Sequence, residues 1–399
     1  KHIIEKMLYM VELNPVNCKV CKKIFKMINP KATPNILKAN FIEEFSITKN
    51  FSDGTNFFDI IMGNPPYNSR AGTGTGNTIW QLFTKQSLNE CLKKKGYLLF
   101  VHPPGWRKPN TNRGKYYGLY NLMGINNQME YLSIHGLEDG RQIFKAGTRY
   151  DWYVIKKVPK YKDTEISDEK GKLVDINMSN FDWLPNYNIN MVKKLLAKKS
   201  DEKCPIIYNR SSYGSDNKKW ISKIQTNEYK YPIVHTIPKT GTRYIYSSRN
   251  DKGHFGVSKV IFGQSNSENP IIDMTGKYGM SEHSMAISVK NVDEAKMLSE
   301  CLKSKTFQTL IDSCSFSNYS IDWRLFTYFK KDFYKIILKE EKNLKSKSPQ
   351  SSPPISQPTP TTTPSSRSSA ISSAPEPEKV KIHIKKKKKK KKKKQQSPT

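Results

Sequence analysis

Apolar residues along the first 158 positions recur at two alternating spacings. Short runs such as LYMVEL (Leu8 to Leu13), FFDIIMG and KGYLLFVHP have the length and the aliphatic and aromatic content of buried strands. Between them, NPVNCKVCKKIFKMI brings Val16, Val20, Ile24, Phe25 and Ile28 round at helical spacing, and TIWQLFTKQSLNECLKK does the same with Ile79, Leu82, Phe83 and Leu88. HIIEKM predicts a helix end, NILKANFIEEF a short strand and turn, and MEYLSIHG with RYDWYVIKK two closing strands. Strands alternating with helices of ten or more residues predict an α/β fold with a mainly parallel, doubly wound sheet. Such sheets take ligands in the crevice beyond the carboxyl ends of their strands.

Past Pro159 the texture changes. Helical stretches (NINMVKKLLAKKS and VDEAKMLSECLKSKTFQTLI) are separated by short β-like pieces rich in Tyr, Ser and Gly, such as YPIVHTIPKTGTRYIYSSRNDKGHFGVSKVIFG. A first domain over 1–158 and a second, α+β domain over 159–339 are expected. From 340 to 399 a Pro/Ser/Thr linker runs into ten consecutive lysines, Lys385 to Lys394. That tail cannot bury a core and is expected to be disordered.

Charge sharpens this outline. The net charge is +33; from Lys342 onward 16 Lys/Arg face 2 Glu, so the tail carries +14 and the remainder +19. A basic body with 11% aromatic residues points to a polyanionic partner, most simply nucleic acid, against the plainer reading of a Lys-rich composition that keeps the surface solvated. The lysine run would add a sequence-independent, salt-sensitive attraction to nucleic acid, or serve as a targeting tail. Six scattered cysteines fit a reducing compartment. Cys18 and Cys21 have zinc-ligand spacing, but no second pair follows, and no metal is expected. With no apolar run of membrane-spanning length and no signal peptide, an intracellular location, in the cytoplasm or in a nucleus or viral factory, is expected rather than secretion. The chain starts at Lys1, already in a helix-like pattern, as a fragment or processed product would.

The candidate chemistry lies where FFDIIMG ends in Asn64-Pro65-Pro66-Tyr67. Asn64 offers a side-chain carbonyl, the two prolines hold the backbone and the Pro65 carbonyl in a restricted direction, and Tyr67 offers a flat face. Two acceptors converging on one amino group, with a ring over the attached heterocycle, suit methylation of an exocyclic amine. Accepting both N–H hydrogens pulls a delocalised, weakly nucleophilic nitrogen toward a tetrahedral state and aims its lone pair at an electrophilic methyl. A base in duplex DNA would first have to be flipped out, and a stacking platform helps to hold it. The plainer reading is a proline-rich turn that ends a buried strand.

In these motifs the chain resembles the S-adenosylmethionine-dependent adenine-N6 DNA methyltransferases of restriction–modification systems, over roughly residues 1–160 and more loosely beyond. The resemblance implies a Rossmann-like methyltransferase sheet, S-adenosylmethionine as cofactor, double-stranded DNA as substrate and a possible restriction nuclease partner. By the same resemblance Glu12 grips the cofactor ribose, Asn40 and Phe41 stand where the family has Asp-Phe against the cofactor adenine, and Asn64 borders both cofactor and substrate. Asn64, Pro65, Pro66 and Tyr67 form the catalytic turn, and Phe144 faces the other side of the flipped base. KGYLLFVHPPGWRKP resembles the following strand, with His102 to Trp106 at the cleft mouth. The second domain resembles a target-recognition domain, in which Arg243, Arg249 and Arg324 would reach phosphates or guanine edges.

Two departures stand beside this. The glycine-rich cofactor loop of the family is expected upstream of Lys1, because AGTGTGN (Ala71 to Asn77) follows no apolar strand and reads as a loop over the substrate cleft. No nuclease pattern is visible. Rival readings are methylation of an RNA base or a protein glutamine, and a non-catalytic nucleic-acid-binding relic of the fold.

Overall fold

The computed structural model describes residues 1–43, 58–69, 77–109, 114–208, 213, 218–316 and 320–347. The AGTGTG loop and the lysine run lie outside the described residues.

The predicted strands and helices of the first part are present. A two-stranded parallel sheet joins β1 (Tyr9–Glu12) to β2 (Asn35–Lys38), with α1 (Pro15–Ile28) as the crossover. Asn14 caps α1, its Oδ1 accepting from Val16 N at 2.9 Å, and Pro15 occupies the first turn, where its missing N–H costs nothing. The apolar stripe of α1 is largely exposed at Val16, Val20, Ile24 and Ile28, because the helix covers only a two-stranded sheet.

The main sheet has six strands: β3 (Phe58–Gly63), β4 (Leu92–His102), β5 (Gln128–His135), β6 (Tyr150–Lys156), β7 (Thr164–Ser167) and β8 (Leu173–Ile176), in the order β3-β4-β6-β5-β7-β8. It is mixed rather than mainly parallel. The β3–β4 and β5–β7 pairs are parallel, and β6 inserts antiparallel between β4 and β5. Strands β7 and β8 extend this sheet past residue 158. Against it pack α2 (Trp80–Gln86) and α3 (Leu119–Gly124), around a core that includes Trp80, Leu98, Trp106, Leu132, Tyr153 and Ile155, while α4 (Leu137–Phe144) is a mostly exposed helix between β5 and β6. Each such core side chain, fully buried, contributes roughly 1.5–3 kcal/mol.

The later residues build two four-stranded sheets and a helical layer. The strands are β9 (Ile206–Ile207), β10 (Ile221–Ser222), β11 (Tyr231–Thr236), β12 (Arg243–Ser247), β13 (Lys259–Gly263), β14 (Ile271–Asp273), β15 (Gly279–Met280) and β16 (Ser284–Ser288). They order as β10-β12-β11-β15 and β14-β13-β16-β9. The second of these sheets shares a large core with α5 (Ile189–Leu195), α6 (Val292–Lys303), α7 (Lys305–Ser313) and α8 (Phe333–Lys347). The stretch expected as one helix breaks at Ser304, whose Oγ accepts from Phe307 N at 3.1 Å and so caps a new helix. Helix α8 runs to Lys347, past the point where the linker was expected to begin. No helix among the described residues is long and apolar enough to cross a membrane.

Candidate active site

The carboxyl ends of β3, β4 and β5 and the start of β6 share one edge of the main sheet. Gly63 pairs with Phe100 just before β3 ends, His102 at the end of β4 pairs with Asp151, and His135 at the end of β5 pairs with Tyr150. Asn64 leaves β3 at this edge, exposed to solvent; Pro65 is buried beneath it and Pro66 is exposed.

Tyr67 turns inward. Its ring meets Phe144, at the end of α4, edge-on at 6.4 Å. Phe144 in turn meets Tyr150 at 5.0 Å, and Tyr150 stacks on His135 at 4.4 Å. The two aromatic residues assigned to opposite sides of a base are therefore neighbours in space although 77 positions apart. They stand edge to face, a contact a planar group would have to open. The Tyr67 hydroxyl is buried without a hydrogen-bond partner among the described residues. Burial pushes its phenol up to about 12, the nearby Tyr150 adds to that, and the Asn64 amide offsets part of it. Tyr67 is thus neutral at physiological pH, a ring with a polar tip. The segment after it is pinned: Ile79 N donates to Tyr67 O at 3.0 Å, and Ser69 N donates to Asn77 O at 2.8 Å. The glycines at 72, 74 and 76 lie outside the described residues.

The cofactor candidates collect at the carboxyl ends of β1 and β2, where Glu12 pairs with Lys38. One Glu12 carboxylate oxygen accepts from Asn14 N at 2.6 Å, which fixes the side chain at the strand end. A carboxylate so held suits a ribose diol. Asn40 fits the adenine contact less well, because its amide closes its own turn: Oδ1 accepts from Ile42 N at 3.1 Å and Nδ2 donates to Glu43 at 2.9 Å. Phe41 stacks on Phe83 of α2 at 5.4 Å and 6°. Tyr9 meets Phe58 at 5.5 Å, so the small sheet lies against the β3 side of the main one. Cys18 is buried beside Glu12, its thiol 3.5 Å from the Glu12 carbonyl, and Cys21 is half-buried.

The end of β4 corrects one expectation. His102 and Trp106 do not line a mouth; both are fully buried. His102 stacks on Trp80 at 4.0 Å; its Nδ1 lies 3.0 Å from the Pro103 carbonyl and its Nε2 2.8 Å from the Tyr153 hydroxyl. Burial pushes its imidazole down to about 3, against the opposing effect of the Pro103 carbonyl, so it is neutral. Pro103, Pro104 and Gly105 face the open cleft instead. The three arginines are not brought together. Arg243 begins β12, exposed; Arg249, just past its end, pairs with Asp251 and lies over Trp220. Arg324 pairs with Asp322 at 2.6 Å and faces the cleft beside β4.

Sequence reading missed Tyr150 and Tyr116. The only signal for Tyr150 was its place at the head of RYDWYVIKK, next to the strand carrying His135. Tyr116 gave none, since its contacts with Trp80 and Thr78 come from a distant segment.

Residues 4–143 match the family model of the Eco57I restriction-modification methylase. This bears out the resemblance of the N-terminal part to restriction–modification methyltransferases. Solved structures similar to the chain include the Type IIL restriction-modification enzyme MmeI in complex with DNA, at 10% identity over 86% of this chain and 59% of that one, TM-score 0.49. A nuclease-deletion mutant of the Type ISP enzyme LlaGI, in complex with a DNA substrate mimic, matches at 10% identity over 86% and 41%, TM-score 0.48. The EcoKI M protein matches at 15% identity over 41% and 36%, TM-score 0.31. The chain spans less than two thirds of each of these, and likeness this loose decides nothing about function. No curated protein matches.

Proposed function

We propose that this chain supplies the catalytic turn and the DNA-recognition part of an S-adenosylmethionine-dependent, adenine-N6 DNA methyltransferase of restriction–modification type. The observation that carries the reading is the juxtaposition at one strand end of exposed Asn64, the Pro65 carbonyl and the Tyr67 and Phe144 rings, 6.4 Å apart. The match of residues 4–143 to a restriction–modification methylase family supports it.

In this reading the adenine leaves the duplex and its plane is held by Tyr67 and Phe144, whose edge-on contact opens to admit it. The Asn64 side-chain oxygen and the Pro65 carbonyl accept the two N6 hydrogens, and the nitrogen lone pair is directed out of the ring plane. Neutral Tyr67 adds no charge to the developing cation. Glu12 would hold the ribose of S-adenosylmethionine and Phe41 would border its adenine; when bound, the cofactor supplies the electrophilic methyl. The residues after β8 up to 339, with Arg243, Arg249 and Arg324, form the target-recognition part, and the lysine tail a non-specific nucleic-acid contact.

The test is methyl transfer itself. The full chain is incubated with S-adenosylmethionine and unmethylated DNA, the DNA is digested, and nucleosides are analysed by mass spectrometry. N6-methyladenine that disappears with Asn64→Ala is the expected result. A methyl group found only on RNA or on a glutamine side chain would replace DNA as the substrate. If no acceptor is methylated while DNA binding is intact, the assay is repeated with the segment upstream of Lys1 restored: transfer then would mark an incomplete enzyme, and its continued absence a non-catalytic relic.

A further inference from the structure

A cleft of about 660 Å³ opens beside the catalytic edge, between the turn Pro104–Arg107 after β4 and the turn Trp323–Tyr328 before α8. That volume falls in the range of ligand sites. Two of its features point to one chemistry.

The first is a cation without a carboxylate. Lys108 lines the cleft half-buried, its ammonium 5.5 Å from the centre of the Tyr116 ring, and makes no salt bridge among the described residues. Burial lowers its pKa, Arg324 across the cleft lowers it further, and Asp322 opposes this only in part because it is already paired with Arg324 on two oxygens. An anion entering here would restore what burial takes from the lysine. The second feature is a flat apolar wall. Tyr208 and Trp323 stack on each other at 5.3 Å and 16° and both line the cleft, half-buried.

The opposite wall leads back to the catalytic turn. Tyr116 lies so close over Gly105 that a Cβ there would meet its ring at 2.7 Å. Its hydroxyl is 3.2 Å from Thr78 Oγ1, Thr78 bridges to Asn68, and Ile79 is bonded to Tyr67. A charged site with a stacking wall, joined to Tyr67 through this chain of contacts, suits the next unit of the polymer whose base occupies the catalytic edge.

We propose that this cleft is a second nucleotide subsite, in which a base flanking the target lies against the Tyr208–Trp323 wall and an adjoining phosphate meets Lys108. The inference rests on the DNA reading above and deepens it. Stacking of one base on an aromatic side chain contributes roughly 1–3 kcal/mol, about 5- to 150-fold in affinity.

The test uses the full chain and duplex and single-stranded oligonucleotides containing 5-iodouracil, irradiated and mapped by mass spectrometry. Cross-links to Tyr208 or Trp323 are expected, and Asn64→Ala should keep them, so the subsite is read independently of methyl transfer. Trp323→Ala should weaken binding by about 5- to 150-fold while Trp323→Phe retains most of it. Lys108→Gln should lower the slope of log affinity against log salt by about 0.7–0.9. Methyl transfer with no cross-link in the cleft would overturn the subsite and leave the function standing. Protection of Trp323 by S-adenosylhomocysteine would assign the cleft to the cofactor and also overturn it. Failure of the wild-type chain to bind any nucleic acid would overturn both.

Discussion

Strands β3 and β4 lie side by side and end at the same edge, yet the chain treats the two ends in opposite ways. After β4 the side chains of His102, Trp106 and Arg107 are sealed. Arg107 and Asp151 are fully buried; Arg107 Nε and Nη2 donate to the carboxylate at 2.8 and 3.0 Å, and Trp106 Nε1 adds a third bond at 2.9 Å. The rest of the guanidinium donates to Leu184 O and the Asn186 side chain, and Asn186 bonds onward to Ser313 and Ser315. After β3, Asn64 is exposed and the Tyr67 hydroxyl is buried with no partner among the described residues. A buried polar group that is fully satisfied holds parts together; one left unsatisfied costs stability and is tolerable where something else is to bind. The β4 end is a joint between the main sheet and the helical layer, and the β3 end is a site.

The largest effect should come from breaking the joint. Asp151→Ala leaves Arg107 buried without its counter-charge, and a loss of about 3–5 kcal/mol in urea unfolding is expected. A loss below about 1 kcal/mol would mean that water reaches Arg107 and that the joint is not sealed. Asn64→Ala should behave oppositely: stability changes by no more than about 0.5 kcal/mol, as for an exposed side chain. Methyl transfer should fall by about 10²–10³, as when one transition-state hydrogen-bond partner is removed. If the same substitution destabilises the fold and spares transfer, the two strand ends have been assigned the wrong way round.

Phe144→Ala sharpens the site side of the comparison. Removing one stacking face should cost roughly 1–3 kcal/mol in binding of the target base. The loss should be read as a raised KM for DNA, with Phe144→Trp retaining most of the affinity. An unchanged KM would return Phe144 to its plainer role as packing for Tyr150.

How far these two ends were legible in the sequence follows from their physics. The β3 end was visible because its message is local: an apolar strand followed by Asn-Pro-Pro-Tyr specifies the turn, the acceptor and the ring within four residues. The strands and helices around it were legible for the same reason, since period 2 and period 3.6 are short-range signals. The β4 end was misread because its character depends on partners 44 to 79 residues away. Nothing in HPPGWRKP indicates that Asp151 and Asn186 will enclose the arginine, or that Trp80 will cover His102. The antiparallel insertion of β6 was hidden too, because strand order is a long-range choice. The exposed stripe on α1 shows the converse limit, that periodicity predicts an apolar face but not what covers it.

His102 gives the most selective effect, a slope against pH rather than a single loss. It lies at the end of β4, buried and neutral, with a pKa near 3 in the folded chain against about 6.5 when unfolded. Between those two values the unfolded chain binds a proton that the native chain does not. The stability His102 contributes is therefore whole above pH 6.5 and drains as the pH falls toward 3, by at most about 1.4 kcal/mol per pH unit. Carboxylates titrate in the lower part of the same window, so the informative quantity is the difference between wild type and His102→Gln. The wild type should lose stability more steeply than the variant between pH 6.5 and 5, while methyl transfer at neutral pH is affected equally little at pH 7 and 8. Parallel stability curves would mean that the imidazole takes up a proton inside the fold, and the β4 end would then be as open as the β3 end.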